Sequence, residues 1–182
     1  MRWVMSRRAA LAGGTVAAVM GGRKCAAIIA GPLPQLVLLK PPAPPPSFTF
    51  QDENGATHKL ADYPDYAFVV NFWATWCAPC TAELPSLDRL AGDVADQHIK
   101  VLALSSDHGG APVVRKFYEQ HGIKNLAVLL DPQGQAMQAF KARGVPTTYI
   151  IDTRGLMQAY AEGAEDWGTD PAMKRVTELA ST

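Results

Sequence analysis

Phe68-Val-Val-Asn-Phe-Trp-Ala-Thr-Trp-Cys-Ala-Pro-Cys-Thr-Ala-Glu-Leu-Pro85 is the stretch that decides the fold. Its first part, Phe68 to Trp73, is a short apolar run of strand length and composition. It leads straight into Cys77-Ala78-Pro79-Cys80, and an amphipathic helical pattern follows in Leu84, Leu87, Leu90, Ala91 and Val94. That order predicts Cys77 at or beside a helix N-terminus. Unpaired backbone N–H groups and the positive end of the helix dipole favour a thiolate over a thiol there. Cys80, three residues on, is close enough to close a small disulfide ring with Cys77.

Two plainer explanations compete. A Cys-x-x-Cys can be half of a zinc site, but the only other cysteine is Cys25, and His58, His98, His108 and His121 show no paired ligand spacing. No metal site is therefore expected. A purely structural disulfide is the second, yet a bridge across so short a loop constrains the unfolded chain little. Redox chemistry accounts for the pair best.

Trp73-Ala-Thr-Trp-Cys-Ala-Pro-Cys-Thr-Ala-Glu-Leu-Pro85, followed later by Gly144-Val-Pro-Thr-Thr-Tyr-Ile-Ile-Asp152, resembles the TlpA/ResA/CcmG group. These are membrane-anchored or exported thioredoxin-fold thiol–disulfide reductases. The resemblance runs from about Ser47 to the C-terminus.

The chain has 182 residues, 48% of them hydrophobic, enough for one packed domain with additions. Its formal charge is zero, but the charge is unevenly spread. Residues 1–46 carry Arg2, Arg7, Arg8, Arg23, Lys24 and Lys40 and no acid, whereas the remainder has 17 acids against 11 Lys and Arg. An acidic domain without a basic patch argues against nucleic acid as a partner.

Residues 1–39 read as an export signal or N-terminal anchor. Ser6-Arg7-Arg8-Ala9-Ala10-Leu11 precedes a Gly/Ala-rich apolar run to Gly22, which resembles a twin-arginine export signal, with an ordinary secretory signal as the alternative. Cleavage near Cys25-Ala26-Ala27 would leave only Cys77 and Cys80. An uncleaved segment would anchor the domain to a membrane. Lys40 to Pro46 has five prolines in seven residues, and residues 40–46 are expected to form an extended, semi-rigid spacer.

The thioredoxin-like domain is then expected over 47–182. A hairpin opens it, with strands Ser47–Gln51 and Thr57–Leu60 around Asn54-Gly55. Strands are further expected at Phe68–Trp73, Ile99–Ser105, Leu126–Leu130, Thr147–Ile151 and Leu156–Ala161. Helices are expected from the cysteine pair to about Asp96, over Ala111–His121, Gln135–Arg143 and Asp170–Ala180. Alternating strands and helices give an α/β fold. Against the thioredoxin pattern the additions are the N-terminal hairpin and an inserted helix–strand unit, both carried by the resembling family.

Cys77 is the candidate nucleophile, expected to be exposed and acidic, and Cys80 the resolving thiol. Ala78 and Pro79 tune the pair, Pro79 by removing one N–H near the thiolates. Glu83 follows Cys80 by three residues and so lies on a neighbouring part of one helix face. It is either the base for Cys80 or a solvated acid that stabilises a helix start. The resemblance supports the first role. Classical thioredoxins carry a buried acid in the preceding strand where this chain has Asn71, which cannot exchange a proton. Pro85 is expected to kink the helix. Trp76, with Ala78 and Pro79, is expected on the substrate-binding surface, Trp76 as the main partner contact, while Trp73 suits core packing. The resemblance further implies a cis peptide at Pro146, with Val145, Pro146 and Thr147 forming a substrate-binding edge against which a partner peptide pairs.

These readings converge on an exported thiol–disulfide oxidoreductase, favouring the reductase direction, in the periplasm or facing it from the membrane. The Cys77–Cys80 disulfide is its redox group and no bound cofactor is required. Its expected partners are disulfide-bonded client proteins, and the resemblance implies cytochrome c or copper-site assembly proteins among them, with a membrane thiol reductant as electron donor. A disulfide oxidase or isomerase is the alternative within redox chemistry. A copper metallochaperone using Cys77, Cys80 and a histidine is the alternative outside it. The Pro-x-x-x-Thr-x-x-Cys pattern of peroxiredoxin-type peroxidases is absent.

Overall fold

A computed structural model of the protein describes residues 33–182. The twin-arginine and cleavage-site readings fall on residues 1–32 and lie outside the described residues. The described residues contain an eight-stranded mixed sheet in the order β1 (Val37–Ala43), β8 (Met157–Glu162), β7 (Thr147–Ile151), β4 (Ala67–Trp73), β5 (Ile99–Ser105), β6 (Leu129–Leu130), β2 (Phe50–Asp52), β3 (Thr57–His58).

The centre of the sheet is β4 (Ala67–Trp73), buried at every position. It pairs in parallel with β5 (Ile99–Ser105) and antiparallel with β7 (Thr147–Ile151). Alternation sends Val69 and Trp73 into one hydrophobic cluster and Phe68, Val70 and Phe72 into the other. Both faces of the strand are covered, so its sequence reads as a continuous apolar run with one polar interruption, Asn71.

The first cluster is roofed by α1 (Ala78–Asp93) through Leu84, Leu87 and Leu90, by α2 (Gly110–His121) through Val114, Phe117 and Tyr118, and by α4 (Asp170–Ala180) through Val176 and Leu179. The second is covered by the short α3 (Gln135–Ala139), with Phe140 packed edge-on to Phe72. Pro85 lies inside α1, where it removes one helical N–H donor. The expected hairpin forms from β2 (Phe50–Asp52) and β3 (Thr57–His58), and the inserted unit is α2 with β6 (Leu129–Leu130). β8 (Met157–Glu162) pairs antiparallel with β7.

One expectation fails. The proline-rich stretch is not a spacer, and the folded unit does not begin at residue 47. β1 (Val37–Ala43) joins the sheet antiparallel to β8, with Val37 opposite Tyr160, Leu38 opposite Ala159 and Ala43 opposite Met157. The register shifts between Leu38 and Ala43, where Pro41 and Pro42 lie. Prolines lack the N–H that a central strand needs on both sides, but β1 is an edge strand and pairs on one side only. The extended conformation expected of prolines is present, and a neighbouring strand captures it.

Candidate redox site

Two features of the sequence bring Cys77 and Cys80 to one end of the sheet. The apolar pattern of β4 stops at Trp73, and Pro79 suits a first helical turn because its missing N–H would have no helical partner there. Cys77 is the N-cap of α1, in extended conformation, and its Sγ accepts a hydrogen bond from the Cys80 N–H at 3.3 Å. The helix-start placement expected from the sequence is thus met. The two cysteines form a disulfide with a Cα–Cα separation of 5.3 Å.

Cys77 is less open than expected. It is 6% exposed, against 0% for Cys80, so the two differ in the expected sense but only the rim of Cys77 reaches solvent. The open surface comes from its neighbours: Trp76 is 70% exposed, and Ala78 and Pro79 are also exposed. Trp73 instead is fully buried, stacked on Tyr118 and tilted against Phe117.

On the other side of the disulfide the Val145–Pro146 peptide is cis, as the resemblance implies. The Val145 carbonyl oxygen lies 3.6 Å from Cys77 Sγ. Once the disulfide is reduced, that oxygen is an acceptor for the thiol. Thr147 does not fit the binding role expected of it. It is 2% exposed, and its hydroxyl donates to the Gly144 carbonyl at 2.7 Å, which closes the turn before β7. Pro146 is buried as well, so the accessible edge here is the half-buried Val145.

Glu83 is not a solvated acid. It is 3% exposed and lies between β4 and the 163–168 segment. Its Oε1 accepts from Asn71 Nδ2 at 2.7 Å, and its Oε2 accepts from the Glu165 N–H at 2.9 Å. Burial pushes its carboxyl up to about 7. The Glu165 N–H and the Asn71 amide pull the other way, and the nearby Glu165 charge adds to the rise. The Trp167 indole also favours the charged form, yet its N–H makes no hydrogen bond within the described residues. A carboxyl that titrates near neutrality, three residues along the helix from Cys80, suits proton exchange.

Asn71 completes this arrangement. The same Nδ2 that donates to Glu83 donates to Thr148 Oγ1 at 2.9 Å, while its Oδ1 is buried without a partner. A half-turn of the amide would present Oδ1 to both neighbours, and each can donate: the hydroxyl of Thr148 always, Glu83 when protonated. Asn71 can therefore serve either charge state of Glu83. The sequence reading had both residues but not their contact.

The segment 163–168 is strapped across α1 beside this pair. Ser86 Oγ donates to the Glu83 carbonyl at 2.7 Å and accepts from the Trp167 N–H at 3.1 Å. A solvent-open groove of about 470 Å³ lies between strap and helix, lined by Glu83, Ser86, Arg89, Glu165 and Asp166 among others. It opens toward solvent along the helix face that carries Glu83.

Sequence reasoning missed Asp107, Ser86 and Glu165. A signal for Asp107 existed. If β4 and β5 pair in parallel with Trp73 opposite Ser105, the residues two further on, Thr75 and Asp107, must meet. Among the described residues, no group of three or more His, Cys, Asp or Glu is arranged to hold a metal ion. His121 is stacked on Phe117 at 3.9 Å.

The AhpC/TSA family model matches residues 42–160. The chain is 33% identical over 120 residues to the thiol-disulfide oxidoreductase ResA of Geobacillus thermodenitrificans, covering 65% of this chain and 67% of that protein. It is also similar to the pneumococcal exposed lipoprotein thioredoxin Etrx1 of Streptococcus pneumoniae TIGR4, at 31% identity and a TM-score of 0.58 over 72% of this chain and 98% of that one. A thioredoxin-family thiol:disulfide interchange protein from Chlorobium tepidum TLS shares the fold, with 24% identity and a TM-score of 0.60 over 76% of this chain and 96% of that one.

Proposed function

The chain belongs to the AhpC/TSA family and is a thiol–disulfide oxidoreductase of the thioredoxin-like kind, and from that premise we propose that it reduces disulfides of selected proteins in an exported, periplasm-like compartment. The observation that carries this reading is the pairing of a nearly enclosed disulfide with a buried carboxyl that titrates near neutral pH. Cytochrome c or copper-site assembly proteins are the proposed clients, and a membrane thiol is the proposed donor. The basic, apolar N-terminal segment supports export or anchoring. The Cys77–Cys80 pair carries the electrons itself, and the proposal includes no bound cofactor.

Each step follows from a placed residue. The Cys77 thiolate attacks one sulfur of a client disulfide, forming a mixed disulfide and releasing the other client sulfur as a thiolate. Trp76 and Val145 flank that attack, one offering apolar surface and the other a backbone edge. Cys80 then loses its proton to Glu83, directly or through a water, and its thiolate attacks Cys77 Sγ. The client leaves with both sulfurs reduced and the Cys77–Cys80 disulfide is restored. Peroxide reduction is not favoured, because Val70 and Ala74 stand where a peroxidase pattern ending at Cys77 would carry Pro and Thr.

The Cys80→Ser variant tests this. Cys77 still attacks but nothing resolves the adduct, so a few discrete mixed disulfides should accumulate in the exported compartment and vanish with dithiothreitol. The double variant Cys77→Ser, Cys80→Ser should give none. A broad smear of secreted proteins would favour an oxidase or isomerase. Absence of adducts with thiols confirmed reduced would remove the thiol-exchange mechanism.

A further inference from the structure

Asp107 is 4% exposed and sits just past the end of β5. Its Oδ2 accepts from the Thr75 N–H at 2.9 Å and from Ser105 Oγ at 2.8 Å, and its Oδ1 accepts from Thr75 Oγ1 at 2.7 Å. Its own N–H donates back to Ser105 Oγ at 3.0 Å. Every group that meets the side chain arrives as a donor. A carboxylate satisfies that pattern, whereas an amide would turn an NH₂ toward at least one of them. None of the ion pairs among the described residues includes Asp107. This is a buried acid held by neutral groups only.

Its position gives it a role. Thr75 precedes Cys77 by two residues, and the Cys77 N–H donates to the Ala74 carbonyl at 3.2 Å, so the connection from strand to helix is one tight turn pinned at its middle. Cys77 thus stands between two opposed fields. The start of α1, with the Cys80 N–H on Sγ, favours its thiolate. A negative charge beneath the preceding turn disfavours it. The other titratable groups near this end are Glu83 and Cys80 from α1 and the exposed His108 beside Asp107, while from the β7 side the Val145 carbonyl faces Cys77 Sγ.

We propose that Asp107 is a positioning residue for Cys77: a buried carboxylate that fixes the Thr75 turn and, through its charge, holds the attacking thiol less acidic than the helix start alone would make it. A thiolate held less stable leaves the reduced pair less favoured against the disulfide, and the couple becomes a better reductant. The inference rests on Cys77 being the attacking thiol, and it gives a structural reason for the reductase direction.

The test is the pH dependence of iodoacetamide alkylation of Cys77 in the reduced full-length protein. Asp107→Asn removes the charge, so the labelling midpoint should fall, with about threefold or more extra thiolate at acidic pH. Thr75→Val keeps the charge but deletes one of its donors, so the midpoint should rise. A role confined to holding the turn would move both variants the same way. Opposite shifts carry the proposal, and shifts of one sign, or none in either variant, overturn it. If Asp107→Asn fails to fold, Asp107→Ser also removes the charge; its midpoint must then fall while that of Thr75→Val rises, and any other pair of shifts overturns the proposal. Equal labelling of Cys77 and Cys80 in the unaltered protein would instead sink the premise that Cys77 is the attacking thiol.

Discussion

Cys77 and Cys80 are three residues apart and occupy different chemical worlds. Cys77 caps a helix, touches solvent at its rim and faces a backbone carbonyl. Cys80 is fully enclosed and shares its helix face with a buried carboxyl. The first setting, a helix start, is one that favours a thiolate. The second makes charge costly, because burial penalises it, and places a carboxyl on the same helix face. The lesson is that one turn of helix separates a sulfur held by a helix-start N–H from one enclosed beside an acid. Exposure alone does not separate them, since 6% against 0% is a small difference; the partners do.

Removing the neighbour should break the contrast most. Glu83→Gln should slow resolution of the mixed disulfide by on the order of a hundredfold, the usual scale for losing a general base. The wild-type rate should rise as pH passes about 7, and the variant should lose that limb. Stopped-flow release of a fluorescent client thiol reads both. An unchanged profile would return Glu83 to a purely structural role.

The same group makes a stability prediction. Its carboxyl titrates near 7 when folded against 4.5 ordinarily, so between those values the folded protein binds more protons than the unfolded chain. Stability from this group is therefore full below about 4.5 and is lost as pH rises through about 7. The loss is on the order of 3 kcal/mol at most. Urea unfolding of the oxidised protein at pH 5 and pH 8 should show it, and Glu83→Gln should flatten the difference. Equal slopes in both proteins would contradict the burial argument.

A finer probe is Asn71→Ala. It removes a donor that favours the charged carboxyl, so the midpoint of the resolution rate should move to higher pH while alkylation of Cys77 keeps its profile. Movement of both would mean that the two thiols share one environment after all. The smallest effect belongs to Trp76→Ala. At 70% exposure its loss should change stability by less than about 0.5 kcal/mol, yet shorten the life of client adducts in the Cys80→Ser background. A large drop in thermal midpoint would show Trp76 to be packing rather than contact surface.

What was legible in the sequence follows from range. The run Phe68–Trp73, the cysteine pair and the leucines of α1 encode their structure within a few residues, because a change from one hydrophobic period to another is local. Most other elements were legible for the same reason, to within a few residues at their ends. β1 was not. Its prolines speak for extended backbone, but the strand exists because residues 157–160 offer a free edge more than a hundred positions away. Thr147 was misjudged because its hydroxyl was free to turn back to Gly144, a choice made by the turn.

By itself the sequence determined the chemistry available: two sulfurs at a helix start, an acid one turn on, and an Asn in the preceding strand, with the proline opposite implied by the family resemblance. Tertiary structure decided what that chemistry can do. It buried Glu83 against Asn71 and the 163–168 strap, and it closed Asp107 onto Thr75. The physical reason is that a carboxyl's proton affinity depends on the water it loses and the donors it gains, and both are set by segments distant in the chain.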